Sequence, residues 1–270
     1  MATSHRYTHG HSASVLRSHR TRTAENSAAY LLPELRPGQR LLDVGSGPGT
    51  ITVDLAERIA PGQVTALEAS VDALQLTRAE AERCGSSNID FAVGDVHDLD
   101  FPSDSFDIVH AHQVLQHVAD PVAALREMIR VCKPGGVVAA RDGDYSGFTW
   151  FPESPGLERW RELYLAVARA NGGEPDAGRR LLSWAQAAGA DDLTASASVW
   201  CYATPDSRAE WGGMWADRIL ASALAEQLLG EERASREELE QISTAWRTWS
   251  ADPDGWFSVH HGEVLCVVAG

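Results

Sequence analysis

The sequence predicts an α/β protein with a mostly parallel sheet and helices on both faces, and three observations predict it. From about residue 24 to 142, short apolar runs alternate with amphipathic stretches of helical length, the pattern of βαβ units. Pro37-Gly38, Pro61-Gly62 and Pro134-Gly135-Gly136 punctuate that alternation where turns are needed. A glycine-rich turn, Gly45 to Gly49, joins the first apolar run to the next helix.

The elements follow in order. An amphipathic helix carrying Ala24, Ala28, Leu31 and Leu32 is stopped by Pro33 and Pro37-Gly38. Strands are expected over Arg40 to Val44, Gln63 to Glu68, about 89–93, Phe106 to Ala111 and Val137 to Arg141. Helices are expected over Thr50 to Ile59, about 71–84 and about 121–131. Ser154-Pro155 provides a cap and a first-turn proline for a helix with Leu157, Trp160, Leu163, Tyr164 and Val167 on one face. A helix over about 178–188, a strand over about 193–203 and helices from Asp206 and Ser235 come next. The last of these opens on the capping box Ser235-x-x-Glu238 and places Leu239, Ile242, Trp246 and Trp249 at helical spacing. A strand over about 256–268 closes the chain.

This organisation divides into an N-terminal lid segment (1–23), a core (24–144), and the remaining core (145–270) carrying helical substrate-lid inserts at about 145–176 and 205–252. All nine tryptophans lie between Trp150 and Trp256, and spare aromatic faces there would suit a flat or apolar ligand. The formal charge of −15 argues against nucleic acid as a partner. No apolar run approaches membrane-spanning length and no signal-peptide core follows Met1, so a cytoplasmic protein is expected. The four scattered cysteines, Cys84, Cys132, Cys201 and Cys266, form no zinc or disulfide framework and read as core residues. No metal site is expected, the histidines of the first 24 residues included. A homodimer is left open.

In Asp43-Val44-Gly45-Ser46-Gly47-Pro48-Gly49, glycine lets the backbone turn sharply and lets a ligand approach it closely. The following helix start favours an anion. The dinucleotide fingerprint needs G-x-G-x-x-G, whereas here the third glycine comes two residues after the second, with Thr50 next. Further down the chain stand Glu68 at a strand end, Gly94-Asp95-Val96, Phe106 to Pro121 with His117, and Lys133-Pro134-Gly135-Gly136. Taken in order, these motifs resemble the class I S-adenosylmethionine (SAM)-dependent methyltransferases, particularly the small-molecule enzymes of the ubiquinone/menaquinone-biosynthesis type.

The resemblance covers about residues 20–143. It implies a Rossmann-like, seven-stranded, mostly parallel sheet with a helical lid, SAM as cofactor and S-adenosylhomocysteine as product. It also implies that Gly45, Ser46 and Gly47 line the cofactor beside Ala69, and that Glu68 accepts hydrogen bonds from the ribose hydroxyls. Asp95 and the backbone of Val96 would hold the adenine. Asp43 either fixes the glycine loop or touches the amino group of the ligand. Arg22 is a partner for the carboxylate of SAM or a surface arginine, and His117 packs or caps the helix after the fourth strand.

SAM carries an activated methyl group, so the protein must align a nucleophile and take a proton only when the nucleophile holds one. The positions after the fourth and fifth strands offer His112, Gln113, Asp142 and Asp144. His112 is a proton acceptor or a cofactor-lining residue; Asp142 is a base, a substrate anchor or a turn residue. Tyr7 and His19 are further candidates on the lid segment. The expected function is methylation at carbon, nitrogen or oxygen of a small aromatic or apolar molecule, such as an indole or polyketide in natural-product tailoring. The alternatives are a SAM-binding protein that does not methylate and, behind it, an NAD-dependent oxidoreductase.

Overall fold

The computed structural model describes residues 21–270; Tyr7, His19 and most of the expected lid segment lie outside the described residues. In chain order the elements are α1 (Ala24–Ser27), β1 (Arg40–Val44), α2 (Thr50–Ile59), β2 (Gln63–Glu68), α3 (Val71–Cys84), β3 (Ile89–Val93), β4 (Phe106–His112), α4 (Pro121–Val131), β5 (Cys132–Gly143), β6 (Thr149–Phe151), α5 (Pro155–Ala170), α6 (Leu181–Ala188), β7 (Asp192–Tyr202), α7 (Pro205–Arg218), α8 (Ala223–Gly230), α9 (Arg236–Ala251) and β8 (Trp256–Val267). No helix among the described residues is long and apolar enough to cross a membrane.

The chain divides into two units. The first holds the described chain up to Gly143, Ala177–Ser198 and His261–Gly270. Its strands run β3-β2-β1-β4-β5 in parallel, and β8 joins β5 antiparallel, with Arg141 opposite Glu263. Both faces are buried, which is why the strands read as continuous apolar runs. Leu41, Ile108, Val137 and Ala139 pack one face with Ile51 and Leu55 of α2 and Leu74 of α3. Leu42, Val44, Val109, Val138 and Ala140 pack the other with Leu125 and Met128 of α4 and Leu181 and Ala185 of α6. The Lys133-Pro134-Gly135-Gly136 turn bulges out within β5: the register jumps from Phe106↔Cys132 to Ile108↔Val137, and Gly135 takes φ +76°.

The second unit comprises Asp144–Asp176 and Val199–His260. Its core is Trp160, Trp215 and Trp246, all fully buried, with Tyr164 and Phe257. Trp160 meets Trp215 at 4.5 Å and Trp246 at 4.9 Å between ring centroids, both edge to face, the geometry that aromatic quadrupoles favour. Trp211 and Trp249 are buried in the same cluster. These faces are packed against one another rather than spare.

Four expectations need correction. The sheet has eight strands, not seven, because Thr149–Phe151 pairs antiparallel with Trp256–Ser258; three residues are too few to show alternation in a sequence. The first helix ends at Ser27, although Ala24, Ala28 and Leu31 are still buried, and a 3-10 turn over Leu32–Glu34 follows. Ala28 leaves the helical conformation at φ −138°, and the chain continues in three-residue turns, with the Leu31 N–H donating to the Ala28 carbonyl and the Leu32 N–H to the Ala29 carbonyl. At the start of α9 only half the capping box forms: Ser235 accepts from the Glu238 N–H, but the Glu238 carboxylate accepts from Arg159 at 2.7 Å. Of the cysteines, Cys132 and Cys266 are core residues, whereas Cys84 and Cys201 are exposed.

Candidate functional site

Three strand-end loops of the first unit are tied together by backbone and carboxylate hydrogen bonds. The N–H groups of Gly45 and Ser46 donate to the Leu67 carbonyl at 2.8 and 3.2 Å, and the Gly94 N–H donates to the Glu68 carbonyl at 3.0 Å. The Gly47 N–H donates to Glu68 Oε1 at 2.6 Å, and the Ala69 N–H to Oε2 at 3.2 Å. Glu68 therefore sits on the glycine loop, with Asp95 one residue beyond the Gly94 contact.

The loop needs its glycines. Gly45, Gly47 and Gly49 have φ of +70°, +56° and +87°, a region costly for residues with a Cβ. A Cβ on Gly49 would lie 2.9 Å from Thr77 of α3, while one on Gly47 would meet only Gly45 O at 3.9 Å. Gly49 is thus a packing glycine, and Gly47 presents bare backbone to open space. Gly49→Ala should lower stability by about 1–3 kcal/mol through strain and overpacking, measurable by urea unfolding; a wild-type midpoint would refute the close approach. Thr77, which carried no sequence signal, donates to Gly47 O at 2.7 Å and meets Ser46 Oγ at 2.9 Å.

Asp43 is buried, and both carboxylate oxygens are engaged: Thr52 Oγ1 donates to Oδ2 at 2.6 Å, and His110 Nδ1 lies 2.8 Å from Oδ1. Asp95 is different. Its side chain is 68% exposed and accepts from the His97 N–H and ring. The His97 N–H, chief among these contacts, holds the carboxyl below its usual range. Val96 is buried in the core cluster with Leu67. His117 does not cap α4; Asp120 does so, accepting from the Ala123 N–H at 2.9 Å.

His112 and Asp142 end neighbouring strands and are shifted in opposite directions. Burial, followed by the nearby charges of Arg141 and Arg22, drives the His112 imidazole well below its ordinary pKa, so it is neutral and a weakened proton acceptor. Burial raises Asp142 to about 7 despite hydrogen bonds from the Gln116 and Leu115 backbone. Asp142 Oδ1 accepts from the Gln116 N–H at 3.1 Å, and among the described residues the buried Oδ2 has no hydrogen-bond partner. Asp144 falls in the second unit, where its N–H donates to the His260 carbonyl at 2.9 Å.

A polar network next to these residues was not anticipated. Arg141, fully buried, donates from Nε to Glu263 Oε1 at 3.2 Å and to Ser198 Oγ at 3.0 Å. Glu263 also accepts from the hydroxyls of Ser196 and Ser198. Gln113, the residue after β4, accepts from Arg22 Nη2 at 2.7 Å and meets His261 Nε2 at 2.9 Å. Charged residues inside apolar strands, Arg141 and Glu263, were the available signal; their pairing was not readable.

The residues fit SAM. Gly47 leaves open space against a backbone that a side chain would have filled, and Glu68 and Asp95 bring carboxylates to its border. Asp142 Oδ2 and Gln116 Oε1 are buried acceptors without partners among the described residues, suited to a molecule rich in N–H and O–H donors. An open parallel sheet with a glycine loop after its first strand and acids after its second and third defines an α/β protein that binds a nucleotide-like cofactor at the strand ends. Residues 35–189 match the family model described as a methyltransferase domain, and the chain belongs to that family, the class I SAM-dependent methyltransferases.

An uncharacterised methyltransferase of Schizosaccharomyces pombe is 34% identical over 270 residues, covering 96% of this chain and 95% of the relative. The YcgJ protein of Bacillus subtilis shares the fold with a TM-score of 0.60 at 21% identity, over 91% of this chain and 99% of its own. Phosphoethanolamine N-methyltransferase 2 of Haemonchus contortus, solved with phosphomonomethylethanolamine and S-adenosylhomocysteine, shares it with a TM-score of 0.56 at 19% identity, over 87% of this chain and 50% of its own.

Proposed function

We propose that this chain transfers the methyl group of SAM to a small-molecule acceptor and releases S-adenosylhomocysteine. The observation that carries the reading is the bonding of the glycine loop, Glu68 and Gly94-Asp95 into one border. In this reading Gly45, Ser46, Gly47 and Ala69 line the cofactor, Glu68 accepts from its ribose hydroxyls, Asp95 and the Val96 N–H hold its adenine, and Arg22 takes its carboxylate. Asp43, occupied by Thr52 and His110, holds the loop. His112 lines the cofactor as a neutral ring.

When bound, SAM supplies a methyl group already activated on a sulfonium cation. The protein must then position the acceptor and receive any proton that the nucleophile loses. Asp142 fits the second task better than His112, because its pKa of about 7 matches neutral pH while that of His112 is driven down. An acceptor with a dissociable O–H, N–H or C–H is the corresponding substrate class. A small aromatic or apolar acceptor, as in natural-product tailoring, stays within this reading: Trp160, Trp215 and Trp246 are spent on packing, whereas Trp256 keeps an exposed face. A reducing cytoplasm suits the four free cysteines.

Methyl-labelled SAM incubated with a panel of small acceptors should yield a labelled product. SAM binding without labelled product across the panel favours a protein that binds SAM but does not methylate; calorimetry showing NAD binding and no SAM binding would overturn the cofactor. Glu68→Ala and Asp95→Ala should each weaken SAM binding at least about tenfold, since a hydrogen bond to a charged group is worth roughly 1.5–3 kcal/mol. Unchanged affinity in both variants removes the site assignment.

A further inference from the structure

Gln113 is a side chain kept where the backbone favours glycine. Its φ is +55°, and the other non-glycine residues with positive φ among the described residues are Asp104 and Glu232, in exposed turns. Gln113 instead follows β4 at a half-buried position, with its N–H donating to the Arg141 carbonyl at 2.7 Å. A strained backbone conformation is retained when the surroundings require that side chain.

The requirement lies in the two ends of its amide. Arg22 only donates hydrogen bonds, so the end facing Arg22 Nη2 at 2.7 Å is the oxygen, Oε1. The NH2 end then faces His261 Nε2 at 2.9 Å, and that ring nitrogen must accept. One amide thus joins the segment before α1 to β8 and fixes the guanidinium of Arg22. It does so as a neutral group, adding no negative charge beside the arginine. A glutamate here would hold Arg22 equally well but compete with any anionic ligand for it.

Resting on the reading of this chain as a SAM-binding methyltransferase, we propose that Gln113 is the positioning residue that holds Arg22 for the carboxylate of the cofactor. Gln113→Gly exchanges two side-chain hydrogen bonds for relief of the backbone strain, so it should fold with an unfolding temperature near that of the wild type while losing the grip on Arg22. Gln113→Glu keeps the grip and adds charge.

Calorimetry with two probes tests this: S-adenosylhomocysteine, which carries the carboxylate, and 5′-methylthioadenosine, which lacks it. Both variants, and Arg22→Ala, should bind S-adenosylhomocysteine about tenfold more weakly and methylthioadenosine as the wild type does, the loss expected of one charge-assisted contact. Equal weakening of both probes, or none, overturns the role of Gln113 while leaving SAM binding intact. Wild-type protein that binds neither probe overturns the cofactor reading itself, and the inference with it.

Discussion

Glu263→Ala should destabilise the protein by about 3–5 kcal/mol, the cost of removing one member of a buried ion pair. Arg141 and Glu263 face each other across β5 and β8, and both are buried. Burial outweighs the attraction of Glu263 and brings Arg141 down to about 10, below the ordinary arginine range. The pair therefore does not gain much by existing, but breaking it by removing the carboxylate costs far more. Domains of ordinary stability hold only about 5–15 kcal/mol in total, so the variant should unfold at markedly lower urea concentration. The double variant Arg141→Met, Glu263→Leu removes both charges and should recover most of the loss. A single variant within about 1 kcal/mol of wild type, measured by equilibrium denaturation, would show that water reaches the pair.

Asp142→Asn should abolish a pH dependence of stability between about pH 4 and 7. The carboxyl ionises at 3.8 when exposed and at about 7 when folded. Over that interval the folded state holds a proton that the unfolded state has released, so stability falls as pH rises. Above the folded value both states are ionised and the full penalty applies, about 4 kcal/mol for a shift of this size. Asparagine keeps an oxygen for the Gln116 and Leu115 N–H groups but does not titrate. Its stability should lack this slope, and the difference from wild type should grow from pH 4 to 7. The rate of methyl transfer should rise through about pH 7 in the wild type and lose that limb in the variant. A variant that keeps the limb excludes Asp142 as the base.

What was legible in the sequence is short-range. Apolar runs and their turns gave β1 to β5 and α2 to α4 within a few residues, because the alternation and its glycine–proline breaks are set by neighbours along the chain. The glycine loop was legible for the same reason: positive φ at Gly45, Gly47 and Gly49 is a local demand. A three-residue strand and a helix cut to four residues were not, since pairing and packing from elsewhere decided them.

The polar centre was decided by strand order. Arg141 and Glu263 are 122 residues apart, Gln113 and His261 are 148 apart, and Arg22 and Gln113 are 91 apart. No periodicity connects such positions; they meet because β8 returns beside β5 and the segment before α1 reaches the end of β4. Tertiary packing also decided the fate of the tryptophans, which sequence could count but not orient. By itself, then, the sequence determined the alternating fold and the glycine loop with its two acids, all local in origin. Only the tertiary structure assembled the network behind them and shifted Asp142 and His112 apart, because burial and long-range charge exist only once the sheet is formed.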